Sequence, residues 1–463
     1  MELRIDRQAL VPVVQQIVDA LANWLRCDEV PPGTRLPSVR QIARINLLSQ
    51  SSVIEACERL VAQGVLATRN GAGFFVATTA LADQGQRDFP WFEGAEENQS
   101  GHVGELKLGC GGLPESWRET DDLSYAMRQV SRTDMAGLFN YSTPLGLLAL
   151  RQQILKRLKQ LNIAVDESRI LTTAGATHGL DLIVRTLFNP GDCVVVESPG
   201  YSMLFDLLRL HGVSMIEVPR TPHGPDTEAL QTLLLKYKPS GLFINSFYHN
   251  PTGSCLTLGV AQQVLQLARK HGVLVIEDDV YADLHSGPGT RLAALGIDDN
   301  VIYVGSYSKT LSSSLRVGFV VAGADVISRL AKVKMISSMG ASRFCESVLA
   351  RLLASGAYRK LVQRQRQRLS TDREAALQVL EDAGWEVFGK PVGGLFIWAR
   401  SRKSDHTQVR TQARRFGVLL SCPTAFSPTG ETHDWQRINV AYACDPRARA
   451  FFQATARDRP QTF

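Results

Sequence analysis

No two cysteines in this chain form a C-x-x-C pair. Cys27, Cys57, Cys110, Cys193, Cys255, Cys345, Cys422 and Cys444 are scattered, so the spacing offers no metal site, zinc or other. Several fall in apolar runs, which reads as buried free thiols in a reducing cytosol. No apolar run reaches the roughly 18 residues that a membrane-spanning helix needs. The opening MELRIDRQALVP carries charge where a signal peptide needs an apolar core, so a cytoplasmic protein is expected. Internal repeats and low-complexity tracts are also missing, so nothing points to a solenoid. What remains is ordinary globular composition, 44% hydrophobic and 21% charged over 463 residues. That length predicts roughly two to four domains. The net charge of +6 permits a nucleic-acid partner without demanding one.

Two blocks are joined by a poorer stretch. Residues 1–76 read as three helices and a short hairpin. Val13, Val14, Ile17, Val18, Leu21, Trp24 and Leu25 recur at helical spacing, and Pro31-Pro32-Gly33 stops that element. A second helix follows Pro37-Ser38. A third runs from about Ser49 to Gln63, with Gly64 as its stop. Its cap is either Ser49 or Ser52, since Ser52 with Glu55 spells a capping box. Gly71-Ala72-Gly73 then separates two β-prone runs, the second ending in Phe74-Phe75-Val76. Residues 77–105 are polar and without period, a linker interrupted only by the aromatic cluster Phe89–Phe92. From 106 to 463, β-branched runs alternate with helical stretches: Arg169–Thr173, Cys193–Val196, Ser214–Val218, Gly241–Asn245, Val273–Glu277 and Val301–Val304. That alternation predicts a large doubly wound α/β domain. The segment after about 325 is helix-rich and ends in the strands GGLFIWAR and RINVAY, which suggests a smaller α+β subdomain.

In the head, three arginines and no acid lie between Arg35 and Arg44, the local cluster that a phosphate backbone attracts. Two short helices joined by a turn would present Ser49–Ser52 to a major groove. The stretch from PPGTRLPSVRQIA to GAGFFV resembles the GntR-family winged helix. The resemblance implies DNA contacts from Arg35, Arg40, Ser49, Gln50, Ser51 and Ser52, and from a wing at Gly71 and Gly73. Gln50 stands where the family usually has arginine.

In the body, the strand VIYVGS delivers Ser306-Tyr307-Ser308-Lys309, followed by Arg316. A lysine can form an imine with an aldehyde, and hydroxyls with a guanidinium suit a phosphate ester. Glu277-Asp278-Asp279-Val280-Tyr281 closes another apolar strand, placing a carboxylate where α/β folds bind ligands. The three-residue spacing to Tyr281 favours Asp278 over Asp279. His249-Asn250-Pro251-Thr252-Gly253 and Glu197-Ser198-Pro199-Gly200-Tyr201 also follow strands. Ala174-Gly175-Ala176-Thr177-His178 opens a helix, where backbone N–H groups can meet a phosphate.

Together these pieces resemble the fold-type I aminotransferases over residues 106–450. The resemblance implies pyridoxal 5'-phosphate as cofactor and Lys309 as its Schiff-base lysine. It implies Asp278 at the pyridine nitrogen, Asn250 and Tyr281 at the phenolic oxygen, and Tyr201 stacked on the ring. Gly175, Ala176, Thr177, Ser306, Ser308 and Arg316 would hold the phosphate, with Tyr141 reaching the phosphate of the other subunit. Arg437 would take a ligand carboxylate, beside a loop at Gly112. Ala176 replaces a hydroxyl residue common in that group, which shifts weight to backbone and serines.

A GntR-type head on such a body resembles the MocR/GabR family of bacterial regulators. That implies a head-to-tail homodimer that binds operator DNA and senses pyridoxal phosphate or a small amino compound, with RNA polymerase as a candidate partner. The competing expectation is a working aminotransferase with an accessory head, since the catalytic set Lys309, Asp278 and Tyr281 is complete.

Overall fold

The computed structural model describes residues 3, 5, 12–27, 33–62, 65–69, 73–76, 105–117, 120–134, 139–285, 287, 289–297 and 300–456. The chain divides into two compact units, Met1–Pro90 and Trp91–Phe463.

The first unit contains α1 (Val13–Cys27), α2 (Val39–Ile45) and α3 (Gln50–Ala62), then an antiparallel pair of strands, β1 (Leu66–Arg69) and β2 (Gly73–Val76). Ile17, Val18, Leu21 and Leu25 of α1 meet Ile42, Val53, Ala56, Leu60, Leu66 and Val76 in one core. Ser38 caps α2 by accepting from Gln41 N. The choice of cap for α3 is settled by its hydroxyl: Ser49 Oγ accepts from Ser52 N at 3.0 Å. Ser52 is therefore inside the helix, and Glu55 pairs with Arg59 at 2.8 Å instead of completing a capping box. The Pro31-Pro32 stop, the Gly64 stop, Gly71 of the wing, residues 77–104 and Phe89–Phe92 lie outside the described residues.

The second unit is built on an eight-stranded sheet. Its strands are β3 (Ile170–Thr173), β4 (Cys193–Ser198), β5 (Ser214–Thr221), β6 (Gly224–Pro225), β7 (Gly241–Asn245), β8 (Leu274–Asp278), β9 (Val301–Ser306) and β10 (Gly318–Val321), in the order β3-β10-β9-β8-β7-β4-β5-β6. The strands β9, β8, β7, β4 and β5 pair in parallel, while β10 runs antiparallel to both its neighbours. Successive residues feed opposite cores. Val195, Leu242, Ile244, Val275 and Tyr303 face one side; Val194, Val196, Phe243, Ile276 and Val304 face the other. Both faces are covered, so the strands read as continuous apolar runs. The small subdomain is a three-stranded antiparallel sheet of β11 (Trp385–Val387), β12 (Phe396–Ser401) and β13 (Gln436–Asn439). It packs with the helices Ala357–Asp382, His406–Arg415 and Pro446–Ala456 around Trp385, Ile397, Ile438, Phe451 and Phe452.

The predicted runs correspond to β3, β4, β5, β7, β8 and β9. The strand β10 was hidden because its four residues follow directly on the Arg316 loop. Among the described residues no helix is long and apolar enough to cross a membrane, and no cluster of metal-ligating side chains occurs.

Candidate functional site

The residues singled out in the body follow the carboxyl ends of β3, β4, β7, β8 and β9, the side where open α/β sheets bind ligands. After β9, Lys309 Nζ donates to Gly111 O at 3.0 Å. Burial, together with the nearby Arg437 and Arg316 cations, pulls its pKa down to about 8. Asp278 ends β8 and accepts from Val280 N at 3.2 Å. Burial, reinforced by neighbouring Asp279, pushes its carboxyl up to about 7, against the opposing pull of Val280 N–H and Lys309. Asp279 points elsewhere. It pairs with the fully buried Arg291 and accepts from Tyr303 OH at 2.9 Å. The adjacent acids are thus sorted, one toward Lys309 and one into the core.

Four segments converge on Arg437, in β13. Its Nε and Nη2 donate to Gly109 O at 3.1 and 2.7 Å, and Nη1 donates to Asn250 Oδ1 at 2.9 Å. The Phe396 and Phe426 rings lie 4.7 and 4.9 Å from its guanidinium carbon. Arg437 is only 6% exposed, and no carboxylate among the described residues pairs with it. Of its five N–H donors, one on each Nη stays uncommitted, a fork that matches a carboxylate. Asn250 uses its oxygen on Arg437, which leaves its Nδ2 donors for another acceptor. Tyr281 is buried and sits edge-on to Phe396, with centroids 5.8 Å apart. Burial raises the phenols of Tyr281 and Tyr201, with a Thr177 hydrogen bond partly offsetting this at Tyr201; both remain protonated donors.

The turn after β3 makes a concave end. Gly175 has φ +89° and caps the helix Ala176–Leu187 without a side-chain hydrogen bond. A Cβ there would lie 2.5 Å from Arg316 Nη2, so only glycine lets the guanidinium close over the turn. Arg316 Nη2 also donates to Ala174 O at 3.2 Å. Ser306 Oγ accepts from Ser308 N at 3.1 Å, and Ser308 Oγ is buried with no hydrogen-bond partner among the described residues. Gly112 is half-buried, a Cβ there would meet nothing within 4 Å, and its carbonyl accepts from Asn439 Nδ2 at 2.7 Å. Tyr141 stands apart, 75% exposed.

Sequence reasoning missed the residues behind this arrangement. Asn245 Nδ2 donates to Asp278 O at 2.8 Å while its Oδ1 accepts from Asn250 N at 2.8 Å, so one amide spaces two of the loops. Glu197 accepts from Asn245 N at 2.8 Å and from Arg220 Nη1 at 2.5 Å. A polar residue ending the apolar run GLFIN was a usable signal for Asn245; Phe426 and Asn439 had none.

In the head, Arg35, Arg40 and Arg44 are exposed, and no carboxylate pairs with them among the described residues. Leu36 N–H donates to Phe74 O at 2.9 Å, which lays the Arg35 segment along β2. A Cβ at Gly73 would lie 3.9 Å from Arg35 Nε. Ser49, Gln50 and Ser51 are exposed and Ser52 half-buried at the start of α3. Ser49 Oγ is also 3.0 and 2.7 Å from the Ser51 and Ser52 hydroxyls.

A mostly parallel sheet in which β10 and the short edge strand β6 are reversed, and a lysine after β9 beside an acid at the end of β8, define a fold-type I transferase body. The chain belongs to the aminotransferase class I and II family, whose model matches residues 104–449. Residues 13–76 match the model for bacterial regulatory proteins of the gntR family, so the head is a GntR-type DNA-binding domain. Over 456 residues the chain is 29% identical to the uncharacterized HTH-type transcriptional regulator YdfD of Bacillus subtilis, covering 94% of this chain and 93% of that one. It is 31% identical over 243 residues to the 2-aminoadipate transaminase of Thermus thermophilus, covering 51% of this chain and 61% of the transaminase. The kynurenine aminotransferase of Pyrococcus horikoshii, solved as a crystal structure, is similar with a TM-score of 0.71 at 25% identity, covering 76% of this chain and 90% of that one. Head and body together form the two-module architecture of MocR-type regulators.

Proposed function

We propose that this protein is a transcriptional regulator that binds operator DNA through its winged helix and senses an amino compound, or pyridoxal 5'-phosphate itself, through its body. One observation carries the sensing half. Arg437 is a buried guanidinium with an uncommitted donor fork and no acid beside it among the described residues, in the same centre as Lys309. Such a centre suits a small molecule carrying both an amine and a carboxylate. We place the modules at 1–76 and 106–463, joined by a linker at 77–105, in a cytoplasmic head-to-tail homodimer.

The residues present fit pyridoxal phosphate. The orphaned Ser308 Oγ, the glycine turn closed by Arg316 and the uncapped helix start at Ala176 form a phosphate cup. Ser306, Gly175 and Thr177 would complete it, with Tyr141 added from the partner subunit. Asn250 Nδ2 and Tyr281 OH would donate to the phenolic oxygen, and Tyr201 would stack on the ring. When bound, the cofactor supplies an aldehyde for amines and an electron sink. The rest is done by the chain. The lowered pKa of Lys309 leaves a useful share of Nζ unprotonated near neutral pH, which makes it a nucleophile. Asp278, poised to ionise, would hold a proton on the ring nitrogen. The Arg437 fork would orient the incoming carboxylate. Arg35, Arg40, Ser49–Ser52, Gly71 and Gly73 would face DNA, with RNA polymerase a further partner.

A ligand acts as a signal only if it binds two arrangements of the protein unequally. A coupling of ~1–3 kcal/mol suffices for a switch. The test is DNA binding to the gene's own upstream region, with and without cofactor and a panel of amino acids. The complete set Lys309, Asp278, Tyr281 and Arg437 favours a second reading, an active aminotransferase with an accessory head. Steady turnover with an added keto acid, and no ligand effect on DNA binding, would select it.

A further inference from the structure

Glu346 lies in the first turn of the helix Arg343–Ser355 and is fully buried. Its Oε2 accepts from Ser142 OH and from Leu147 N–H, the latter at 3.0 Å, and its Oε1 accepts from Thr172 OH in β3. Lys334, also fully buried, lies within electrostatic range of that carboxylate and donates Nζ to Pro144 O at 3.0 Å. Burying charged groups costs free energy unless they are hydrogen-bonded, and here three of the four bonds go to residues 142–147. That segment is fixed further. Gly146, at φ +97°, lies so close to Thr172 that a Cβ would fall 1.8 Å from its hydroxyl, and Thr172 N donates to Leu145 O at 3.0 Å. Just before the bolted segment stand Phe139 and Tyr141, 78% and 75% exposed. A rigid base carrying outward aromatics is what a contact into a second subunit requires, because a misplacement of about 1 Å in a binding group can cost as much as 100-fold.

We infer that Glu346 is a positioning residue that fixes the segment carrying Tyr141, and through it the phosphate site of the partner subunit. This rests on the proposed role of Tyr141 across the dimer.

The test uses mixed dimers of two differently tagged full-length chains, one carrying Lys309→Ala. Only the other chain's Lys309 can then capture pyridoxal phosphate as a borohydride-reducible adduct, so a single site reports. Tyr141→Phe is the control: on the Lys309→Ala chain it should weaken retention at the reporting site, and on the other chain it should not. If this placement dependence is missing or reversed, the cross-subunit reading of Tyr141 fails and the inference falls with it. With the control passed, Glu346→Gln on the Lys309→Ala chain should weaken retention by about 10-fold, with little change when placed on the other chain. Equal effects in both placements, or none, would overturn the inference while leaving Tyr141 in its role. Ser142→Ala removes one arm of the clamp without touching the buried charge. It should give the same placement dependence with a smaller loss, and it decides the question if Glu346→Gln does not fold.

Discussion

The head leaves Arg35, Arg40 and Arg44 on its surface without carboxylate partners among the described residues, whereas the body buries Arg437 beside two phenyl rings and Arg291 against Asp279. The same side chain is put to opposite uses. An exposed guanidinium gains little from one small anion in water and most from a polyanion, through counterion release that salt can reverse. A buried guanidinium with its plane pinned and its donors counted selects one geometry and is only weakly screened. The head should therefore answer to ionic strength, and the body to ligand shape and to pH.

The sharpest break in this comparison is Lys309→Ala. It should abolish the visible-absorbing, borohydride-reducible cofactor adduct while operator affinity without ligand stays near wild type. An adduct retained at the same site would remove Lys309 from its role. Next come the neighbouring acids. Asp278→Asn should weaken cofactor binding by roughly 10-fold or more, at about 1.4 kcal/mol for each factor of ten, with little loss of stability to urea. Asp279→Asn should do the reverse, costing about 3 kcal/mol by leaving Arg291 buried without its charge partner, with the smaller effect on cofactor. A larger cofactor effect at Asp279 would reverse the assignment.

A pH profile should then show a rise of about tenfold in the rate of cofactor capture between pH 7 and 9. The sign follows from Lys309, whose reactive form is the unprotonated amine and whose pKa lies near 8. Capture is slow below that value and levels off above it. A rate independent of pH across this range would show that another group limits the step. The smallest effect belongs to the head. Arg40→Ala should lower DNA affinity a few-fold and reduce the salt slope by about one unit if it meets phosphate, or relax one base pair by ~1–3 kcal/mol if it meets guanine. Cofactor binding should not change. Unaltered DNA binding would favour the accessory-head enzyme.

What could be read from the sequence was whatever is local in it. Lys309, Asp278, Asn250, Tyr201 and Gly175 each sit just after an apolar run, within a few residues of the strand that positions them. The winged helix was legible for the same reason, its helices being short, capped and punctuated. What escaped was fixed by contacts far apart in the chain. Asn439 meets Gly112 across 327 residues and Glu346 meets Thr172 across 174, and no spacing pattern reports such pairs. The choice of Ser49 as the cap of α3 was equally hidden, because both serines satisfy the local rule and only the geometry of the turn selects between them.

The central claim is that chemistry in the body reaches the DNA-binding head. The most direct measurement is operator affinity and footprint of the full-length dimer, titrated with an α-amino acid while the cofactor spectrum of the same sample is followed. The account predicts that affinity or footprint shifts over the ligand range in which the spectrum changes, by about 5- to 150-fold in affinity for a coupling of ~1–3 kcal/mol. A complete spectral change with affinity and footprint both unmoved would contradict it.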